Sequence, residues 1–429
     1  MQRLHNIVNS EGLKSSVVIT ISNIFAQGLS GVAIILLSRS MGVSQFGIFS
    51  TGFSIALIAA SLIDIGLIVA QQQAIPRAKT VGEKNRIFST ALSLKFILFV
   101  VTAVVAIPFS PMISARLHVS PALLIFWILL ANIGSVFFNQ FAGMLFSVRR
   151  IAQAAAINIA QAFSKFVFAL ILIFITWGSG AGILIIYLTL PLLILPFSGL
   201  LLPKWYRFSA TFDGRSWLTM KSMALNNWVA SFGLVLIQNA DMVLVGMLLS
   251  QNEVGLMGIA SRFALFIALI GGSLASVLIP RVSTYRLQTD LDSFWRKALL
   301  ILLGSIGLAV VSFVISAPTI IYTVGEKYLE AAPVLALLMS ASWLAVGVTP
   351  INSLFYSYDK AWFFSISAVS QVALLLIGNI VLLPVFGIIA AGWVRLSVQI
   401  LMVCFAFIAA LISHYQRFQQ MPRLLSRDV

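Results

Sequence analysis

The sequence is poor in the residues that build metal and redox sites. It contains one cysteine, Cys404, and three histidines, His5, His118 and His414, which lie far apart in the chain. A single cysteine forms no intramolecular disulfide and no Cys-based metal site. The glycine-rich motif that cradles nucleotide phosphates is also missing from the sequence. We therefore expect no metal ion, no cofactor and no direct use of ATP.

Charged residues are scarce, and acidic residues are the scarcest. Only 9% of the 429 residues are charged, with 12 Asp and Glu against 27 Lys and Arg, whereas 60% are hydrophobic. A soluble fold cannot cover its surface with so few polar side chains. The sequence therefore predicts an all-α integral membrane protein. Its net charge of +15 does not indicate a nucleic-acid partner, because the basic residues fall in short loops between apolar segments.

Twelve apolar segments are long enough to cross a bilayer, which takes about 20 residues. They are predicted at 16–38, 46–70, 87–109, 121–146, 151–176, 181–202, 222–249, 254–279, 296–322, 328–357, 361–383 and 388–413. The run after Lys14 is itself long enough to span, so it is predicted to be the first helix and not a cleavable signal. Longer loops are expected only at 71–86, 203–221 and 280–295.

The basic residues indicate how the chain is oriented. Of the 27 Lys and Arg, 20 lie in loops on one side of the predicted spans and three, Arg39, Arg116 and Lys327, on the other. The positive-inside rule assigns the basic side, and with it both termini, to the cytoplasm. Loops on the opposite side are a few residues long, so no soluble catalytic domain is expected there.

The two halves of the chain share short motifs at a nearly constant spacing. Ile75-Pro76-Arg77 recurs as Ile279-Pro280-Arg281 and Gly47 as Gly255, with offsets of 279 − 75 = 204 and 255 − 47 = 208. Such repeats are typical of secondary transporters, in which two similar lobes move about a shared central path. We predict an N-terminal lobe at 1–202, a cytoplasmic linker at 203–221 and a C-terminal lobe at 222–429.

Apart from residues at the very ends of the spans, six charged residues fall inside them. They are Lys95, Lys165, Arg262 and Arg395, with Asp64 and Asp241. Each costs about 2.5–3.5 kcal/mol at the bilayer centre, so each should face the bundle interior, pair with an opposite charge or contact water. Asp241 with Arg262, and Asp64 with Lys95, lie about equally far from the turn between their helices and can pair. Four cations against two anions leave a positive interior, which indicates an anionic ligand.

Polar side chains also share single helical faces at spacings of three and four residues. The stripes are Asn158, Gln161 and Lys165; Asn132, Ser135 and Asn139; and Gln238 with Asp241. Interhelical hydrogen bonds would explain any one stripe. Stripes in both halves, together with unbalanced cations, favour a lined cavity. The predicted binders of an anionic headgroup are Lys165, Arg262, Arg395, Lys95, Asn158, Gln161 and Gln238, and Asp64 and Asp241 are predicted to act in ion pairing or ion coupling.

A series of segments resembles one known family. The segments are Leu37–Gly42, Phe46–Phe49, Asp64–Leu67, Asn239–Gly246, Val254–Met257, Ala260–Phe263, Gly325–Tyr328 and Ala331–Leu335. In this order they resemble the polysaccharide flippases of the multidrug/oligosaccharidyl-lipid/polysaccharide (MOP) exporter superfamily, which transport O-antigen and exopolysaccharide precursors. The resemblance implies a MATE-like fold, with two six-helix lobes around a central cavity.

The resemblance also implies a substrate, in which a glycan is joined to a polyprenyl diphosphate. We therefore expect a flippase of the bacterial inner membrane, in contact with membrane lipids, that moves this substrate outwards by alternating access. A proton or sodium gradient would drive it, and a polysaccharide polymerase is a potential partner. One alternative is a multidrug cation antiporter of the same superfamily, whose cavity should be acidic. Another is a glycan polymerase or ligase, which would need a sizeable periplasmic loop.

Overall fold

The fold follows from the solvent, since backbone groups in lipid must find hydrogen bonds within the protein and helices supply them. The structure, a computed structural model, describes residues 11–117, 119–174, 179–203, 206, 211–282, 285, 288–358, 360 and 362–425. Among these residues, 12 helical segments are long and apolar enough to cross a membrane. The predicted all-helical fold with twelve spans is thus confirmed, and we describe the protein as a multi-pass membrane protein.

Within the described residues the chain forms fourteen α-helices. They are α1 (Glu11–Ser40), α2 (Val43–Asp64), α3 (Leu67–Arg77), α4 (Val81–Leu117), α5 (Pro121–Ala131), α6 (Phe137–Ser147), α7 (Ile151–Phe174), α8 (Gly180–Leu200), α9 (Gly214–Leu248), α10 (Gln251–Val282), α11 (Gln288–Thr323), α12 (Ala332–Ser357), α13 (Trp362–Phe386) and α14 (Ile388–Leu425). A π-helical turn, Asn132–Val136, joins α5 to α6, and a 3₁₀ helix, Glu326–Ala331, precedes α12.

Two of the predicted spans are interrupted in their interior, within the residues that the structure describes. The second span breaks between α2 and α3, where Ile65 and Gly66 both adopt left-handed backbone conformations with φ of 39° and 65°. A Cβ at position 66 would lie 2.3 Å from the carbonyl oxygen of Ala224, so only glycine fits beside α9. The fourth span contains the π-helical turn. Hydropathy measures apolar character only, and therefore neither interruption could be predicted.

The predicted loops at 71–86, 203–221 and 280–295 are too long. Helix α3 runs to Arg77, α4 begins at Val81, α9 begins at Gly214 and α11 begins at Gln288. Helix α4 has 37 residues, about 55 Å at 1.5 Å per residue, well beyond a hydrocarbon core of about 30 Å. Apolar side chains of the extra turns pack into clusters that include Ile75 in the first half of the chain and Phe294 in the second.

Side chains in the loops mark where several helices begin. The Ser120 hydroxyl accepts a hydrogen bond from the Leu123 N–H, and the Ser179 hydroxyl accepts one from the Gly182 N–H. The Asp213 carboxylate caps α9 by accepting hydrogen bonds from the Ser216 hydroxyl and N–H, at 2.6 and 3.1 Å. These bonds lower the pKa of Asp213. Polar caps of this kind replace the missing intrahelical partners of the first turn.

Contacts between the helices divide the chain into two compact units, Met1–Gly255 and Leu256–Val429. Helix α9 packs within unit 1, where the Trp228 indole N–H donates to the Ser61 carbonyl at 3.2 Å. A Cβ at Gly246 of the same helix would lie 2.8 Å from the Thr51 side chain. The division into repeated lobes at 1–202 and 222–429 concerns the symmetry of the sequence and stays a prediction.

The repeated glycines lie where two helices cross within unit 1. A Cβ added at Gly47 of α2 would lie 2.2 Å from the carbonyl oxygen of Gln251, the first residue of α10. Reciprocally, a Cβ added at Gly255 would lie 2.0 Å from the carbonyl oxygen of Val43, the first residue of α2. Each glycine thus admits the backbone at the start of the other helix. The matching contacts explain why glycine recurs at both positions.

Candidate functional site

A polar cavity of about 170 Å³ lies inside unit 1, between α2, α7, α8 and the fourth span. Its polar lining consists of Ser135, Asn139, Gln161, Lys165 and Tyr187. At about 30 Å³ per water molecule, the cavity has room for roughly five waters or one small polar group. A space of this polarity inside a membrane-spanning bundle is a candidate binding site.

Two of the predicted polar stripes meet in this cavity. Gln161 and Lys165 are separated by one turn of α7, and Ser135 and Asn139 come from the π-helical turn and α6. The sequence showed each stripe separately, whereas the structure brings the two together in the lining of one space. Asn158 is half-buried one turn before Gln161 and does not belong to the lining.

The π-helical turn shapes one wall of the cavity. A Cβ at Gly134 would lie 2.4 Å from the carbonyl oxygen of Leu188, so α8 approaches the turn closely. Asn132, at the start of the turn, is 1% exposed, and its amide oxygen and nitrogen have no hydrogen-bond partner among the described residues. Buried polar atoms without partners are rare away from functional sites, and π-helical turns are frequent at such sites.

Of the described residues, Lys165 is the only one that brings an ammonium group to the cavity. Its Nζ lies 4.9 Å from the centroid of the Tyr187 ring, within the range of a cation–π interaction. Among the residues that the structure describes, no carboxylate pairs with Lys165. A cation in this setting needs water or an anion to compensate its charge, because the face of one ring contributes only about 0.5–2 kcal/mol.

Aromatic side chains hold the Tyr187 ring in place. The ring is buried and meets Phe49 and Phe53 edge-to-face, each at 5.6 Å between centroids. The sequence interpretation missed Tyr187 because a lone aromatic residue in an apolar helix has no polar periodicity. One signal was available: Tyr187 is the first tyrosine in the chain and precedes Pro191, another lining residue, by four positions.

The predicted ion pair between Asp64 and Lys95 is present, away from this cavity. Lys95 Nζ lies 2.5 Å from Asp64 Oδ1, and the side chains are 0% and 28% exposed. The pair forms where the second span breaks, because Asp64 is the last residue of α2. From the sequence, Lys95 was predicted to be one of the cations that bind an anionic headgroup. In the structure Lys95 is fully buried and its charge is compensated within the protein.

The remaining predicted residues lie outside the lining of the cavity. In unit 1, Asp241 is buried on α9 and Gln238 is exposed one turn earlier. In unit 2, Arg262 is buried on α10 and Arg395 is half-buried on α14. The pairing of Asp241 with Arg262 stays a prediction, as do the roles of Gln238 and Arg395 in binding.

Comparison with known proteins identifies relatives of the whole chain. A family model described as a polysaccharide biosynthesis protein matches residues 13–286. The protein named probable low-salt glycan biosynthesis flippase Agl15, from Haloferax volcanii, is 24% identical over 408 residues, covering 88% of this chain and 79% of the relative.

Solved structures share the fold at low sequence identity. An inward-facing MATE family multidrug resistance transporter of the MOP superfamily matches with a TM-score of 0.73 and 13% identity, over 92% of this chain and 96% of its own. Lipid II flippase MurJ, in an inward closed conformation, matches with a TM-score of 0.68 and 14% identity, over 96% of this chain and 93% of its own. These likenesses show the fold, and together with the match over residues 13–286 they confirm the expected resemblance: the chain belongs to the polysaccharide biosynthesis protein family.

Proposed function

We propose that this protein is a flippase that moves an undecaprenyl-diphosphate-linked oligosaccharide from the cytoplasmic to the periplasmic leaflet of a bacterial inner membrane. The observation that carries the proposal is the cavity of unit 1, where Lys165 lies beside the amides of Gln161 and Asn139. Membership of the polysaccharide biosynthesis family and the name of the Haloferax relative support the same function.

The chemistry of the cavity suits the polar part of such a substrate. An ammonium group offers three donors to a diphosphate, and its charge has no carboxylate partner among the described residues. The side-chain amides of Gln161 and Asn139 both donate and accept hydrogen bonds. They can therefore bind a sugar hydroxyl that acts as either acceptor or donor. The cavity can hold only part of a glycan at one time. We infer that the headgroup crosses through it while the polyprenyl chain stays in lipid.

Alternating access is the mechanism we propose for crossing. The second span breaks at Ile65–Gly66, the fourth contains a π-helical turn and α8 contains Pro191 beside the cavity. Each interruption removes regular helical hydrogen bonds and lets part of a span tilt relative to the rest. The close crossing of α2 and α10 at Gly47 and Gly255 would serve as the pivot. The two helices touch through their backbones at this point, so their far ends would be free to move.

The orientation and energy source belong to the same proposal. From the excess of basic loop residues we infer that both termini lie in the cytoplasm. A proton or sodium gradient would drive export, with Asp64 or Asp241 as the coupling carboxylate. Asp64 supports this assignment because it is 28% exposed and pairs with a buried lysine, so binding of a cation to it would release Lys95.

Complementation of a strain that lacks its own polysaccharide flippase tests the proposal. The wild-type chain should restore surface polysaccharide and clear the lipid-linked glycan from the cytoplasmic leaflet. The K165A and R262A variants should reach the membrane in normal amounts but leave the glycan inside. Lys221→Ala is a matched control for Lys165, because that lysine is exposed near the start of α9.

Two results would contradict the proposal. Normal export by both K165A and R262A would show that neither the ammonium group of the cavity nor the buried guanidinium of α10 is needed for transport. Accumulation of the glycan together with new resistance to cationic dyes would favour the multidrug antiporter, a function that the MATE-like fold also permits. The cavity argues against that outcome, because its lining, within the described part of the chain, contains a cation and no carboxylate.

A further inference from the structure

A second polar cavity, which we call the interfacial pocket, lies in unit 2 and has a volume of about 280 Å³. It opens between the end of α10 and the start of α11, with Pro350 of α12 at its base. Its lining includes Arg281, Tyr285, Ser293 and Lys297. No part of the proposed transport cavity contributes to it, since that cavity belongs to unit 1.

The charge of the interfacial pocket favours an anion. Among the described residues of the lining, Arg281 and Lys297 supply two cations against the single carboxylate of Asp290. Both basic side chains are exposed, and Lys297 has no ion-pair partner among the described residues. Tyr285 and Ser293 add two hydroxyl groups to the lining. A guanidinium, an ammonium and two hydroxyls together supply the donors that a phosphate group needs.

The pocket changes from polar to apolar along α11. Asp290, Ser293 and Lys297 line it near the start of the helix, whereas Ala298 and Ile301 continue the same face further along. From Asp290 to Ile301 the helix rises about 16 Å, at 1.5 Å per residue. The polar end follows the basic loop that the charge distribution assigns to the cytoplasm, near the first residue of the span, Thr289, and the apolar end lies further into the same span. This gradient matches a lipid whose headgroup is in water and whose chain is in the bilayer.

We propose that the interfacial pocket binds the phosphate group of an anionic membrane lipid from the cytoplasmic leaflet. Arg281 and Lys297 hold the phosphate, the hydroxyls of Tyr285 and Ser293 donate to its oxygens, and Phe294, Ile301 and Pro350 contact the first part of the lipid chain. Basic pockets between helices on the cytoplasmic side are a recurrent form of lipid headgroup site. A phospholipid and a polyprenyl diphosphate share this chemistry.

Native mass spectrometry of the purified full-length chain tests the proposal directly, because retained lipids are counted one by one. The probes are phosphatidylglycerol, undecaprenyl diphosphate and zwitterionic phosphatidylcholine. We expect saturable retention of the anionic probes at one site, about fivefold weaker in K297Q, since one basic residue at a membrane surface contributes about 1 kcal/mol. The R281Q/K297Q double variant should lose the site.

Arg296→Gln is the matched control, because Arg296 is adjacent to Lys297 on α11 and exposed but does not line the pocket. It removes the same charge and should leave retention unchanged. Equal weakening by R296Q and K297Q, or equal retention of phosphatidylcholine, would overturn the proposal. Preference for undecaprenyl diphosphate would make the pocket a docking site for the transported lipid. Preference for phosphatidylglycerol would make it a site for the surrounding membrane. Neither readout involves transport, so failure here leaves the flippase proposal untouched.

Discussion

Two lysines inside the spans of unit 1 differ in how their positive charge is compensated. Lys95 is 0% exposed, and Asp64 compensates its charge at 2.5 Å. Lys165 lines a polar cavity, lies 4.9 Å from the centroid of the Tyr187 ring and has no carboxylate partner among the described residues. The charge of Lys95 is therefore balanced within the protein, whereas that of Lys165 is left for water or a ligand.

The two lysines show that the excess of basic over acidic residues in the spans is concentrated at particular sites. Counting four basic and two acidic residues in the spans indicates an anionic ligand but does not say which cation binds it. The position of each cation indicates which one is available to a ligand. Lys95 pairs with Asp64 at a break in the helix backbone, whereas Lys165 lies in a cavity lined with amides. We expect loss of the Lys95 pair to lower stability whatever its effect on coupling, and loss of Lys165 to impair transport without lowering stability.

Removing the acid of the ion pair should give the largest effect. Asp64→Ala leaves the Lys95 ammonium buried without a partner, and we expect a loss of about 3–5 kcal/mol in the free energy of unfolding. Lys95→Met should cost less, because the carboxylate that remains is 28% exposed and water can reach it. Unfolding of the purified variants in detergent, followed by circular dichroism, measures both values.

The double variant D64A/K95M is the control for this pair. It removes both charges, and replacing a buried pair with apolar groups is often close to neutral, so it should be more stable than D64A. A double variant less stable than either single one would mean that the two residues act independently. The distinction between a compensated and an uncompensated lysine would then fail.

Placing an acid beside Lys165 should remove the difference between the two lysines. Gln161→Glu introduces a carboxylate one turn before Lys165 on the same face of α7, the favourable order for an i, i+4 pair. The substitution makes the Lys165 site resemble that of Lys95. We expect loss of glycan export, by at least tenfold in transported lipid, with normal amounts of protein in the membrane. Export measured in the complemented strain checks the result.

Gln153→Glu tests whether any added acid on α7 has this effect. Gln153 lies about 18 Å from Lys165 along the helix, at 1.5 Å per residue, and outside the cavity. Its variant should export glycan as the wild type does. Equal loss of export in the two variants would point to damage of the helix, and normal export by Q161E would remove the cavity from the mechanism.

Sequence reasoning could predict features that depend on composition and on distance along a helix. The twelve spans follow from apolar length, and the pairing of Asp64 with Lys95 follows from their similar distance to the loop between their helices. The convergence of Gln161 and Lys165 with Ser135 and Asn139 needed the packing of α7 against the fourth span. Periodicity shows which face is polar but not which face of another helix it meets.

Features that depend on local backbone geometry could not be predicted in this way. The π-helical turn at Asn132–Val136 and the break at Ile65–Gly66 interrupt spans that read as continuous apolar runs. The loops were overestimated for a related reason, since hydropathy ends with the hydrocarbon while helices such as α4 continue as far as their packing allows. Tyr187 and its aromatic contacts could not be assigned to the cavity, because a lone tyrosine adds no periodic signal.

The smallest effect we predict concerns the Tyr187 ring, which faces Lys165. Tyr187→Phe keeps the ring face and should leave stability and export nearly unchanged. Tyr187→Leu removes it, but also disturbs contacts with Phe49 and Phe53, so the loss in unfolding free energy alone does not isolate the cation. A double-mutant cycle with K165M does, and we expect a coupling of about 0.5–2 kcal/mol. A coupling near zero would mean that water alone stabilises the Lys165 ammonium. The two lysines would then differ still more, because the protein would compensate the charge of Lys95 and not that of Lys165.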